Sequence, residues 1–356
     1  MTTIDLVTGF LGAGKTTFIL DYARELIRRG ERIGIIENDY GAINVDLMLL
    51  HRELGDQCRL EMVIGGDPDC HRRRLKTKLI AMGIDRYDRV IVEPSGVFDV
   101  DEFMDILYEE PLDHMLSLGN VLAVVDAASE FSGEGRSEDA RYVLAEELTR
   151  AGCVIYSKAE RMDDPSLEQV TEYLNKCLAD VGCKRILKES DILRKPEGGF
   201  QEADWNRLMG AGSREYSYVK RTVLTDGDFQ SVFFFHVELP ADGQTETMST
   251  ERPERQSAEH PEQDGAAEQA SMNEIRNLIH RIFADPSCGS LTRIKGFIAQ
   301  PEGDWLEINA TREKISLTRS PVGQPVVIAI GEGLDQERIG SYWKKYENEY
   351  RSSHGD

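Results

Sequence analysis

The residues best equipped to do chemistry stand near the start of the chain, in residues 4–17 (IDLVTGFLGAGKTT). Gly9, Gly14, Lys15 and Thr16 satisfy the phosphate-binding loop pattern G-x-x-x-x-G-K-[ST]. A glycine-rich turn lets several backbone N–H groups point at one anion, and the helix that follows adds its positive N-terminal end. In such a loop Lys15 reaches the β- and γ-phosphates, and the Thr16 hydroxyl is a ligand of Mg²⁺. The candidate phosphate contacts are Gly9, Gly12, Ala13, Gly14, Lys15, Thr16 and Thr17. A bare strand-to-helix turn could carry the same letters, so the flanks decide. Apolar Ile4, Leu6 and Val7 read as a strand, and residues 18–29 as an amphipathic helix stopped by Gly30.

Further polar groups arrive at the ends of short apolar runs. Residues 32–37 are strand-like and lead into Glu37-Asn38-Asp39-Tyr40-Gly41; residues 89–93 end in Glu93-Pro94-Ser95-Gly96. Acids placed directly after a buried strand lie at its carboxyl end, where open parallel sheets bind ligands. Glu93 could hold Mg²⁺ through water. Gly96 lets a backbone N–H approach the γ-phosphate, a bond lost on hydrolysis. A strand over 153–156 delivers Ser157-Lys158-Ala159-Glu160, where a guanine-binding GTPase carries N-K-x-D. Glu160 keeps a two-oxygen acceptor for the guanine N1–H and N2–H₂, and Lys158 keeps a stem to stack under the base. Ser157 lacks the amide, which leaves GTP against ATP open.

These residues need a scaffold, and the pattern supplies one. Strand-like runs at 60–64 and 120–126 alternate with helical stretches at 72–82, 99–109, 137–151 and 164–181. That alternation predicts an α/β fold over residues 1–213: a parallel sheet flanked by helices. The composition then changes. Strand-like runs at 217–223, 230–238, 291–299, 305–311, 315–318 and 325–330 mix with helices over 272–284 and 335–346. They predict a smaller α+β domain over 214–350. Within it, residues 240–271 lose their apolar character and fill with Glu, Gln, Asp, Ser and Pro, the composition of a disordered acidic insertion.

Composition excludes some classes of function. A net charge of −22 argues against nucleic-acid binding, which needs a positive face. The longest apolar runs, 121–125 and 326–330, are too short to span a membrane. No basic and apolar leader precedes Ile4, so the cytoplasm is the expected compartment. Six cysteines spread along 356 residues read as reduced thiols, not as a disulfide framework.

The loop Thr8-Gly9-Phe10-Leu11-Gly12-Ala13-Gly14-Lys15-Thr16-Thr17 resembles, almost letter for letter, that of CobW-type P-loop GTPases, relatives of the urease and hydrogenase nickel chaperones. Glu37-Asn38-Asp39-Tyr40-Gly41 resembles their E-N-E-[FY]-G, Glu93-Pro94-Ser95-Gly96 their E-x-x-G, and Val124-Val125-Asp126-Ala127 their V-V-D-A. Thr292-Arg293-Ile294-Lys295-Gly296-Phe297 and Ile330-Gly331-Glu332-Gly333-Leu334-Asp335 are similar to their C-terminal domain. The resemblance covers nearly the whole chain outside the acidic insertion. It implies slow GTP hydrolysis coupled to delivery of a metal ion, commonly zinc or cobalt, to a client metalloprotein. It fixes neither the metal nor the client.

One departure matters for the metal. The family's motif G-C-x-C-C, or G-C-x-x-C, is here Gly66-Asp67-Pro68-Asp69-Cys70, with only the last thiol kept. Thiolates are soft, strong ligands; Asp67 and Asp69 are harder and would make a weaker, more labile or differently selective site. With Cys70, His71, Glu37 and His114 they form a set that could still bind Zn²⁺ or Co²⁺. The same stretch could equally be a turn and helix N-cap with a solvated His71. Hydrolysis is expected to rest on Lys15, on Mg²⁺ held by Thr16 and Glu93, and on a water oriented from Glu37 or Asp39. A small-molecule kinase and a regulatory nucleotide-binding protein without metal transfer are the alternatives. Self-association into a homo-oligomer stays open.

Overall fold

A computed structural model describes residues 1–10, 12–39, 45–64, 68–94, 100–132, 138–220, 230–235, 261–300, 304–312, 314–321, 323–344 and 346. It divides into two units, Met1–Val223 and Leu224–Asp356. The strands of the first unit are β1 (Thr2–Thr8), β2 (Ile33–Asp39), β3 (Arg59–Ile64), β4 (Arg89–Glu93), β5 (Leu116–Asp126), β6 (Cys153–Ser157) and β7 (Ile192–Arg194). Among the described residues they make one seven-stranded sheet in the order β3-β2-β4-β1-β5-β6-β7. Every pairing in it is parallel. Its helices are α1 (Lys15–Arg28), α2 (Val45–Leu54), α3 (Pro68–Ile84), α4 (Val100–Leu107), α5 (Leu112–Met115), α6 (Ala127–Ser132), α7 (Glu138–Arg150), α8 (Asp164–Asp180) and α9 (Glu202–Met209). From β1 the chain runs one way to β2 and β3, then the other way to β5, β6 and β7. Such a reversal opens a crevice at the carboxyl ends of the central strands.

The sheet is buried on both faces, which is why its strands read as continuous apolar runs. Alternation along β1 shows this directly. Ile4 and Leu6 join Ile36, Val92, Leu75 and Phe103 on one face, while Val7 joins Phe18, Ile19, Tyr22 and Leu26 on the other. The α/β architecture expected from the sequence is therefore present. Short elements (α2, α5, α6, α9 and the three-residue β7) add to it without an apolar pattern long enough to announce them. Residues 217–220, expected to begin a strand, carry no regular structure.

Asp5 breaks the apolar run of β1 and is fully buried. It accepts from Tyr22 Oη at 2.6 Å and from the Asn120 backbone N–H at 2.7 Å. The Arg89 guanidinium pairs with it at 2.6 Å. Burial, with the Asp5 charge beside it, holds the Tyr22 phenol well above its ordinary pKa. The β1–β5 register slips at this point, and Gly119 is needed there because a Cβ would sit 2.3 Å from Asp5 Oδ1. The Asn120 side-chain oxygen in turn accepts from Gly212 N at 2.9 Å. Removing one partner from such a buried pair costs ~3–5 kcal/mol, because it strands the other charge.

The second unit has strands β8 (Gln230–Phe235), β9 (Ser290–Ala299), β10 (Trp305–Ala310), β11 (Ile315–Ser320) and β12 (Val326–Glu332). They pair antiparallel in the order β11-β10-β9-β12-β8. Helices α10 (Pro261–Ala284) and α11 (Gln336–Trp343) share a core with them through Ile275, Ile279, Ile282 and Trp343 against Ile294, Ile298 and Ile308. This is the expected α+β arrangement, with one correction. Residues 261–271, expected in the disordered acidic insertion, are helical. Pro261 suits the first helical position, Glu262 and Asp264 favour a helix N-terminus, and Ala266, Ala267 and Ala270 are strong helix formers. Residues 240–260 lie outside the described residues. No described helix is long and apolar enough to cross a membrane.

Candidate nucleotide site

The loop after β1 takes its shape from glycines. Gly9 has φ +146°, and a Cβ there would lie 2.3 Å from the Val124 carbonyl oxygen on β5. Only glycine lets the loop pass so close to that strand. Gly12 and Gly14 are also left-handed, at φ +80° and +94°, and Gly14 caps the start of α1. Lys15 and Thr16 follow as the first residues of that helix, and both are buried. The Lys15 ammonium donates to the Gly9 carbonyl at 2.7 Å, so the loop's own backbone satisfies it.

Two acids lie beside this loop at the strand ends. Glu37 on β2 and Glu93 on β4 are direct register partners, and both are buried, at 3% and 7% exposure. Two carboxylates at paired register positions concentrate negative charge, which favours a divalent cation. They and the Thr16 hydroxyl are hard oxygen donors, the donor type Mg²⁺ selects. The donor types of Thr16 and Glu93, the residues expected to hold Mg²⁺, suit that ion. The side chain of Asp39 at the end of β2 and the whole of Gly96 lie outside the described residues.

On the other side of β1, Asp126 on β5 pairs in register with Ser157 on β6. The Ser157 hydroxyl donates to the Ala13 carbonyl at 2.6 Å and lies 3.1 Å from the Val125 carbonyl. It thus ties the base segment to the phosphate loop, a task for which the missing amide is not required. Lys158, at φ +53°, pairs through its ammonium with Asp126 Oδ2, and Asp126 Oδ1 accepts from Ser129 N at 3.0 Å. Sequence reasoning gave Asp126 no role. The signal was present, since it is an acid that ends a buried strand next to the one carrying the lysine. Glu160 is exposed in the turn that follows.

The transition-metal candidates fare differently. Asp69, Cys70 and His71 open α3; their side chains, and all of Asp67, lie outside the described residues. His114 is on α5 and 77% exposed. It precedes Leu116, whose register partner is Thr2 at the amino end of β1. That is the end of the strands opposite the one that carries Glu37, so His114 does not join the set. Among the described residues no group of three His, Cys, Asp or Glu is placed to hold a metal. Cys58, Cys153, Cys177, Cys183 and Cys288 are buried free thiols. Burial pushes the Cys58 thiol up to about 12 and Cys153 up to about 11, which keeps them from acting as thiolates.

A glycine-built loop on a parallel sheet, followed by a buried lysine and threonine and flanked by buried acids on neighbouring strands, defines a P-loop nucleotide-binding protein. A family model described as CobW/HypB/UreG, nucleotide-binding domain, matches residues 3–182, and the chain belongs to that family. The zinc chaperone YjiA of Escherichia coli (strain K12) is 32% identical over 133 residues, 35% of this chain and 40% of that protein. The zinc chaperone YeiR of the same organism is 26% identical over 177 residues, 48% of this chain and 51% of its own length. The zinc chaperone CobW of a Sinorhizobium species is 27% identical over 194 residues, 47% of this chain and 53% of its own. The chain spans about half the length of the curated relatives it matches. Among solved structures, Zn(II)-bound YjiA GTPase aligns with 98% of this chain and 99% of its own at 16% identity, with a TM-score of 0.39.

Proposed function

We propose that this chain is a GTP-binding, slowly GTP-hydrolysing, metallochaperone-like protein of the cytoplasm. It couples nucleotide state to the binding and delivery of a transition metal, zinc or cobalt, to a client metalloprotein. The observation that carries the nucleotide half is the register pairing of Glu37 with Glu93 beside a loop whose Lys15 and Thr16 are buried. Lys15 exchanges the Gly9 carbonyl for the β- and γ-phosphates, and the backbone from Gly9 to Thr17 cradles them. Thr16 and Glu93 would hold Mg²⁺, which would supply neutralisation of the phosphate charge. Glu37 or Asp39 orients the attacking water, and Gly96 senses the γ-phosphate. Ser157, Lys158 and Glu160 meet the base, with Glu160 as the acceptor.

The metal half rests on Asp67, Asp69, Cys70 and His71 with Glu37, and His114 takes no part. Zinc is supported by relatives that are named zinc chaperones. One thiolate among carboxylates suits a labile, transferable site better than a closed structural one.

Equilibrium dialysis against Zn²⁺ and against Co²⁺, with and without a non-hydrolysable GTP analogue, tests the coupling. Binding that changes with nucleotide and weakens in Cys70→Ser is expected. Equal, weak binding in both states, unchanged by that substitution, would leave a regulatory nucleotide-binding protein without metal transfer. A product assay should find inorganic phosphate alone; a phosphorylated small molecule would mean a kinase.

A further inference from the structure

Strand β7 ends at Arg194, which reaches to the turn after β6. Its Nη2 donates to the carbonyl oxygens of Met162 at 2.6 Å, Ala159 at 2.7 Å and Glu160 at 3.2 Å. Its Nη1 lies 3.7 Å from the Asp164 carboxylate. A guanidinium stays charged and presents its donors in a rigid plane, so it gathers carbonyls that would otherwise face solvent. The turn it gathers is the one that carries Glu160. That turn is entered through left-handed Lys158 and closed by Met162 N donating to the Ala159 carbonyl at 3.1 Å. Its start is fixed separately, by Ser157 on Ala13. Ser157 therefore sets how far the turn lies from the phosphate loop, and Arg194 sets its curvature.

We propose that Arg194 is a positioning residue for base recognition. By gathering the carbonyls of Ala159, Glu160 and Met162 it holds the Glu160 carboxylate where it accepts from both N1–H and N2–H₂ of guanine. It thereby sets selectivity against purines that lack the 2-amino group. The inference rests on the reading of Glu160 as the base acceptor. Without Arg194 the turn relaxes, while the phosphate contacts made by residues 9–17 are untouched. The loss falls on the base.

Dissociation constants for GDP and inosine diphosphate, measured by calorimetry on the full chain, separate these effects. Inosine diphosphate lacks the 2-amino group, so the ratio of the two constants reports on the second hydrogen bond of the carboxylate. Arg194→Ala should weaken GDP about tenfold or more with inosine diphosphate much less affected, bringing the ratio toward unity. Arg194→Lys, charged but without the planar fork, should fall between; it also carries the test if Arg194→Ala does not fold. Glu160→Gln should collapse the ratio. If Glu160→Gln does so while both Arg194 variants weaken the two nucleotides equally, or not at all, the role of Arg194 is overturned and the base reading stands. If Glu160→Gln leaves the ratio intact, the base reading fails and takes the inference with it.

Discussion

The phosphate half of the site is held by backbone angles, at Gly9, Gly12 and Gly14. The base half is held by side chains, with Ser157 on Ala13, Lys158 on Asp126 and Arg194 on a set of carbonyls. Left-handed angles favour glycine at all three positions, and at Gly9 the close approach to Val124 leaves no room for a side chain. A turn fixed by side-chain hydrogen bonds tolerates exchange, provided each bond finds another donor. This difference explains why the first stretch keeps its pattern intact while the second reads S-K-A-E in place of N-K-x-D.

Substitutions can break that contrast. The largest expected effect is in Lys15→Ala, where loss of the charge at the phosphates should lower kcat/KM for GTP by ~10³-fold or more. Phosphate release with a folded variant measures it; substantial residual turnover would place the reacting phosphates elsewhere. Next is Gly9→Ala. Its Cβ would meet the Val124 carbonyl at 2.3 Å, and the strained angle and clash should together cost about 3 kcal/mol in urea unfolding. Gly12→Ala meets open space and should cost only ~1–2 kcal/mol for its left-handed angle. Equal losses would show that the approach to β5 does not fix the loop. On the base side, Ser157→Ala strands the Ala13 carbonyl and should weaken GDP by about tenfold. Ser157→Asn, which offers a new donor, should recover part of that.

The smallest effect is at the end of α1 away from the phosphate loop. Glu25 on α1 accepts from Arg28 and Arg29, and the Arg28 hydrogen bonds lead in holding its carboxyl down to about 2 from the ordinary 4.5. A depressed carboxylate stabilises the fold above its unfolded value and loses that contribution as it protonates. Thermal midpoints should therefore fall as pH drops from about 4.5 towards about 2. Glu25→Gln should flatten part of that slope.

Much of this was legible in the letters. Apolar runs buried on both faces gave β1, β2, β4, β5 and β6, and acids at their ends marked Glu37 and Glu93. Less local features were not legible. His114 lies close to β5 in sequence, but it precedes the amino end of that strand, and the parallel direction puts the acids at the opposite, carboxyl ends. The three-residue β7 has no periodicity to detect, so Arg194 could not be matched to a turn more than thirty residues earlier. The acidic composition of 261–271 hid a helix because the same residues that solvate a coil also favour a helix start.

The buried charge in β1 has a consequence for how the protein is made. Asp5 and Asn120 are 115 residues apart, and Asn120 and Gly212 a further 92. A nascent chain that has exposed β1 and α1 holds an acid in an apolar strand with neither Arg89 nor Asn120 yet synthesised. Contacts of such sequence separation carry a loop-closure entropy that local contacts do not. The strand that carries the phosphate loop is thus the first part of the unit to leave the ribosome, and the partners that satisfy its buried acid are made 84 to 115 residues later.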